Sequence, residues 1–260
     1  MSRLERLPAP LGSALAERRL LKVIAGLTNF DAERVSRIAR SAGLGGADLI
    51  DIACDPELVR TAAAASGLPI CVSAVDPELF PAAVEAGAAL VEIGNYDAFY
   101  ALGRIFTAAE VLELTRRTRA LLSQVVLSVT VPHGLPQDQQ EQLALDLVAA
   151  GADIIQTEGG TSARPFSAGS LGLIEKAAPT LAAAHGISRA LAAAGLQAPV
   201  LCASGLSAVS VPMAIAAGAA GVGVGSAVNR LDDELAMVAV VRGLREALAA
   251  GRAAALSSRL

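Results

Sequence analysis

The stretch APVLCASGLSAVSVPMAIAAGAAGVGVGSAVN, residues 198–229, decides the fold. A short apolar run of β type, residues 199–203, stops at Ser204-Gly205, an Ala-rich helical segment follows, and a second run, residues 221–225, stops at Ser226. Two neighbouring strands that end in glycine fit the last two units of a (β/α)8 barrel. There the loops after strands seven and eight form the usual phosphate site, because glycine lets an oxyanion reach backbone N–H groups at a helix N-terminus. This placement predicts that Ser204, Gly205, Gly225 and Ser226 hold a phosphate, and that six more strand–helix units lie upstream.

The rest of the chain supplies them. Residues 22–25 read as the first strand, and Asp31 is the N-cap of a helix reaching Ser41. Residues 47–53 (ADLIDIA) form the second strand, followed by Asp55-Pro56 as cap and first-turn proline; residues 69–74 form the third, followed by Asp76-Pro77-Glu78. Strands four, five and six fall at 90–94, 125–131 and 153–158, with Thr107 opening a helix to 122 and an Ala-rich stretch over 171–196. An internal echo supports the parse: GGADLIDIA (45–53), AGAALVEIG (86–94), AGADIIQTE (150–158) and AGAAGVGVG (217–225) precede or enter the even-numbered strands, each with a glycine helix stop. Four such quarters give an α/β protein, a single (β/α)8 TIM barrel over 21–250. A short N-terminal amphipathic helix within 1–20 would plug its bottom, and 251–260 reads as a C-terminal tail.

Composition agrees with one barrel. Of 260 residues, 53% are hydrophobic but only 3% aromatic and none is Trp, so the core is built from Ala, Val, Ile and Leu, as helices packed on a parallel sheet require. A net charge of -4 without a basic run beyond pairs excludes nucleic acid as a partner. Cys54, Cys71 and Cys202 lie in or at the ends of strands without CxxC spacing, and read as small core residues in a reducing cytosol. No apolar run reaches the length of a membrane span, and the first residues alternate apolar and charged where a signal peptide needs an apolar block, so a cytoplasmic protein is expected.

Alternation along the strands sets which side chains point inward. The inward set contains Lys22, Asp51, Ser73, Glu92, Ser128, Thr130, Gln156 and Glu158. One lysine then faces three carboxylates. Burying that much charge rarely stabilises a fold, so the ring marks a site of tuned acid–base chemistry. The blander alternative for Lys22 is a side chain that snorkels out of the barrel bottom. Glu158, beside Gly159-Gly160, is a proton-transfer candidate, as is His133, which follows strand five in TVPHG. His185 reads as a surface or packing residue. Asp55, Asp76 and Thr107 read as caps. Two histidines far apart in sequence leave only carboxylates to hold an ion, so no metal is expected.

Two loops exceed what barrel closure needs. GGTSARPFSAGS (159–170), with Arg164 near its middle, is suited to closing over an anion. NYDAFYALGRIF (95–106) holds four of the chain's aromatics. It walls a pocket around a planar or apolar part of a substrate, or forms the contact of a homo-oligomer; the residues support both.

The segments VIAGLTNFD, DIACDPELV, PICVSAVDPELF, VEIGNYDAFYALGRIF, LSVTVPH, ADIIQTEGGTS, LGLIEKAAPTLAAA and VLCASGLS with GVGVGSAVN together resemble the Ycf23 family, also called DUF561, of cyanobacteria and algal plastids. The resemblance runs from about Leu21 to Gly243. It implies an aldolase-type barrel of the phosphate-binding group, in a cyanobacterial cytosol or plastid stroma, and implies no reaction. Alanine replaces many of the polar helix positions of relatives, which alters surfaces and leaves the mouth intact. Strands six and eight are also similar, at the level of fold, to N-acetylmannosamine-6-phosphate 2-epimerase. The expected function is that of an enzyme, isomerase/epimerase-like or lyase-like, moving a proton on a small phosphorylated metabolite without a cofactor. The alternatives are an FMN-binding oxidoreductase, since the same loops can hold the FMN phosphate, and a non-catalytic barrel that binds a phosphorylated ligand. A lyase using a Schiff base on Lys22 is a variant of the first.

Overall fold

A computed structural model describes residues 3–160 and 163–257 of the chain. Eight parallel strands, β1 (Leu20–Gly26), β2 (Leu49–Ala53), β3 (Ile70–Ala74), β4 (Leu90–Ile93), β5 (Val126–Thr130), β6 (Ile154–Gln156), β7 (Val200–Ala203) and β8 (Gly221–Val224), close in sequence order, with β8 pairing back onto β1. The chain is an α/β TIM barrel. The helices are α1 (Ala9–Ala16), α2 (Ala32–Gly45), α3 (Pro56–Ser66), α4 (Phe80–Glu85), α5 (Asp97–Tyr100), α6 (Ala108–Leu121), α7 (Gln137–Ala149), α8 (Gly169–Ala193), α9 (Val211–Ala216), α10 (Ser226–Asn229) and α11 (Glu234–Ser257). Helix α11 continues through the segment expected as a tail as far as Ser257, and residues 258–260 lie outside the described residues.

Strand alternation divides the core in two. Outward residues such as Leu21, Val23, Ile50, Ile52, Val91, Leu127, Val129, Ile155 and Val222 join the helices in one large cluster. Inward residues one step away, Leu20, Leu49, Cys71, Leu90, Val126, Ile154 and Leu201, form a bottom layer that packs on Leu7, Leu11, Ala14 and Leu15. Helix α1 thus plugs the barrel bottom, and its apolar face covers a layer that would otherwise meet water. The three cysteines are free and buried.

Local chemistry sets the element ends. Asp31, Asp55, Asp76 and Thr107 each accept backbone N–H bonds at the start of a helix. In the four echoes, Gly46, Gly87, Gly151 and Gly218 take positive φ of 85°, 111°, 104° and 114°, the backbone that turns each helix into the next strand. The repeated aspartates do the same work: Asp48 accepts from the Leu21 N–H and pairs with Arg245, and Asp153 accepts from the Leu127 N–H and pairs with Arg119. Among the described residues no helix is long and apolar enough to cross a membrane.

Candidate active site at the barrel mouth

Above the bottom layer sits a polar one. The Lys22 Nζ lies 2.7 Å from Glu92 Oε2 and 3.6 Å from Asp51 Oδ2, all three side chains buried. Lys22 therefore stays inside the barrel and does not snorkel out. Ser73 donates to Asp51 at 2.6 Å, Ser128 to Glu92 at 2.7 Å, and Gln156 Nε2 to Glu92 at 2.6 Å. Burial pulls the Lys22 ammonium down, but the two carboxylate charges outweigh it and its pKa ends above the ordinary value. This lysine is held charged, which is the wrong state for a Schiff base; the neutral amine is the nucleophile. Burial pushes Asp51 up to about 6, with Lys22 opposing.

Glu158 is not part of this ring, contrary to the reading of one lysine against three carboxylates. Strand β6 ends at Gln156, and two residues later Glu158 meets a different set of groups. Its Oε1 accepts from the Tyr100 hydroxyl, from the His133 backbone N–H at 3.1 Å, and contacts His133 Nδ1 at 3.1 Å. Its Oε2 is buried with no partner among the described residues. Burial raises the Glu158 pKa against the pull of the His133 and Tyr100 hydrogen bonds. The hydrogen bond to Glu158 raises the His133 pKa, with burial opposing. The Tyr100 ring packs edge-on to the imidazole, centroids 4.9 Å apart.

Over both groups lies a cavity of about 510 Å³. Its lining includes Gly26 at the end of β1 and Thr28 after it, Asn95 and Asp97 after β4, Glu158 and Gly160 after β6, Ser204 and Gly205 after β7, and Gly225 and Ser226 after β8. Asn95, in the left-handed region at φ 62°, roofs the ion ring and donates to Asp51 at 3.1 Å and Ser73 at 3.0 Å. Ser204, at φ 74°, donates to Asp97 Oδ2 at 2.8 Å across the mouth. Strained non-glycine backbone at two lining positions is typical of a functional site. The β6 and β7 loops meet without side chains: a Cβ on Gly160 would stand 2.3 Å from the Gly205 Cα and N.

Four of the five residues expected to hold a phosphate, Ser204, Gly205, Gly225 and Ser226, line this cavity. Arg164 does not; it is exposed, and Thr161 and Ser162 of the same loop lie outside the described residues. The cations that line the cavity are Lys176, on α8, and Arg230, just after α10. No local sequence signal marks either one, since each is brought to the mouth by a helix whose start depends on barrel closure. Asp97 and Tyr100, also missed, sit in the 95–106 segment read for its aromatics. Those aromatics do not wall the cavity: Tyr96 and Phe106 are buried with rings 4.4 Å apart, Phe99 packs on Phe106, and Arg104 covers Phe106. A flavin ring placed here would lack that aromatic wall. His185 is exposed.

Asp97, His133 and Glu158 each offer a ligand atom within 4.8 Å of the others, so the expectation that only carboxylates remained for a metal overlooked this corner. The His133 Nδ1 to Glu158 Oε1 contact at 3.1 Å is a hydrogen-bond distance, the geometry of an acid–base pair.

Fold and site together define a (β/α)8 barrel with a polar cavity at the carboxyl ends of its strands. The family model described as "Protein of unknown function (DUF561)" matches residues 7–254, and the chain belongs to that family. It is 41% identical over 225 residues to "Uncharacterized protein ycf23" of Cyanophora paradoxa, covering 86% of this chain and 90% of that one. Among solved structures it resembles 3-hexulose-6-phosphate synthase, with TM-score 0.60 and 16% identity over 88% of this chain and 99% of the other. It also resembles (S)-3-O-geranylgeranylglyceryl phosphate synthase from Thermoplasma acidophilum in complex with sn-glycerol-1-phosphate, with TM-score 0.57 and 14% identity over 92% and 97%. At these identities the likeness concerns the fold.

Proposed function

We propose that this protein is an enzyme that binds a small phosphorylated metabolite and moves a proton at a carbon next to a carbonyl, as an isomerase, epimerase or lyase does. The observation that carries the reading is the asymmetry of Glu158: one carboxylate oxygen is fixed by Tyr100 and His133, and the other is buried, unpartnered and part of a side chain lining the cavity. A base needs one oxygen oriented and the other left without a hydrogen bond, with a pKa raised above the ordinary carboxylate value. The phosphate is assigned to the Gly205 and Ser226 loops, where bare backbone can approach an oxyanion and remote binding energy is available to orient the reacting carbon. The phosphate-named neighbours on the same fold support this choice by analogy. His133 takes and returns the proton through Glu158, while Lys22, Glu92 and Asp51 hold a fixed charge beneath Asn95. Such a reaction requires neither metal nor flavin.

The test uses a panel of phosphorylated aldoses and ketoses in D2O, followed by proton NMR. Exchange of the proton α to the carbonyl is expected with the wild type. Glu158→Gln is expected to abolish exchange while inorganic phosphate still binds. No exchange across the panel, or exchange that survives Glu158→Gln, overturns the assignment.

A further inference from the structure

Lys176 and Arg230 line the cavity, and neither side chain has a hydrogen bond or ion pair to another described residue. At the opposite, bottom end of the barrel Arg119 pairs with Asp153 and Arg245 with Asp48. An unmatched cation in a concave polar site is an open place for an anion. Here there are two, and they enter from different sides. The Lys176 side chain and carbonyl lie against Gly205, so that a Cβ there would be 2.9 Å from Lys176 O and 3.3 Å from its Cγ. Arg230 follows Asn229, whose side chain donates to Ile24 O on β1 at 3.0 Å and whose carbonyl accepts from Arg34 of α2 at 2.7 Å. Lys176 thus belongs to the β6–β7 side and Arg230 to the β8–β1 side.

The cavity they line is larger than one phosphate. At ~30 Å³ per water-sized unit, the 510 Å³ cavity has room for on the order of seventeen non-hydrogen atoms. The acidic corner formed by Asp97 and Glu158 repels a second anion, which leaves the Arg230 side for it.

We propose that the ligand carries two anionic groups, a phosphate at the Gly205 and Ser226 loops beside Lys176 and a second phosphate or carboxylate at Arg230, beyond the far end of α10. The substrate class is a phosphorylated sugar acid or a sugar bisphosphate of about five or six carbons, the size set by the same volume argument. The inference rests on the phosphate reading above and narrows it.

Calorimetric titration of the full chain at low salt separates the two. The probes are inorganic phosphate, fructose 6-phosphate, fructose 1,6-bisphosphate and 6-phosphogluconate. One of the dianionic sugars is expected to bind about tenfold or more tightly than fructose 6-phosphate, the gain of one charge-assisted contact. Arg230→Ala is expected to erase that preference and leave inorganic phosphate unchanged; Lys176→Ala is expected to weaken every probe. Both positions are at the surface of the mouth, and unchanged thermal melting checks that each variant is folded. If the second anion brings no gain, or if both substitutions weaken inorganic phosphate alike, the two cations clamp a single phosphate and the inference fails while the phosphate site stands. If inorganic phosphate does not bind the wild type at all, the phosphate reading itself fails.

Discussion

Replacing Lys22 by Met tests the buried ion ring. The methylene stem and its packing are kept, and the one cation among Asp51 and Glu92 is removed. Both carboxylates keep their neutral donors, Ser73 and Asn95 on Asp51, Ser128 and Gln156 on Glu92. What is lost is the charge. Breaking a buried pair from one side costs about 3–5 kcal/mol, because an uncompensated charge is left in a low-dielectric site. Burial already works against Asp51 in the wild type: a rise from 3.8 to about 6 is on the order of 3 kcal/mol against the folded state above pH 6. The sign follows from proton counts. Between pH 3.8 and about 6 the folded chain holds a proton on Asp51 that the unfolded chain has released, so this group's contribution to stability grows as pH falls. Without Lys22, which lowers the Asp51 pKa, the folded-state affinity for that proton rises further. Urea unfolding is therefore expected to show a loss of about 3–5 kcal/mol at pH 7.5 and a clearly smaller loss at pH 5. Adding Glu92→Leu is expected to recover part of the loss. A loss below about 1 kcal/mol, or one that does not change with pH, would refute the buried pair.

Gly160→Ala is expected to weaken inorganic phosphate binding by tenfold or more, measured by calorimetry, because the new Cβ at 2.3 Å from Gly205 must move a backbone segment of the anion loop. The His133 imidazole, titrated by NMR, is expected to have a pKa above 6.5 in the wild type and to fall in Glu158→Gln, since the Glu158 hydrogen bond is the main cause of its rise and burial is then opposed only by the Asp97 charge. By the same linkage, the stability His133 contributes is complete below pH 6.5 and fades as pH rises through its folded pKa, which a pH series of thermal melts of the two proteins checks. Leu11→Ala in the bottom plug, at 1% exposure, is expected to cost about 2–4 kcal/mol in urea unfolding, and a cost near zero would mean that α1 does not close the barrel.

Glycine stops, the four GA-x echoes and strand alternation are local, so the sequence by itself determined the barrel, its plug, the caps at Asp31, Asp55, Asp76 and Thr107, and the inward set from Lys22 to Gln156. A strand repeats every two residues, and one well-placed polar residue fixes its phase. Past the last ladder bond that rule ends. Glu158 lies two residues beyond β6, and only the closed barrel shows that it leaves the lysine ring and joins Tyr100 and His133, residues 58 and 25 positions away. The same holds for Lys176 and Arg230: which cation reaches the mouth depends on where α8 and α10 begin after closure, a tertiary outcome that no spacing in the chain encodes.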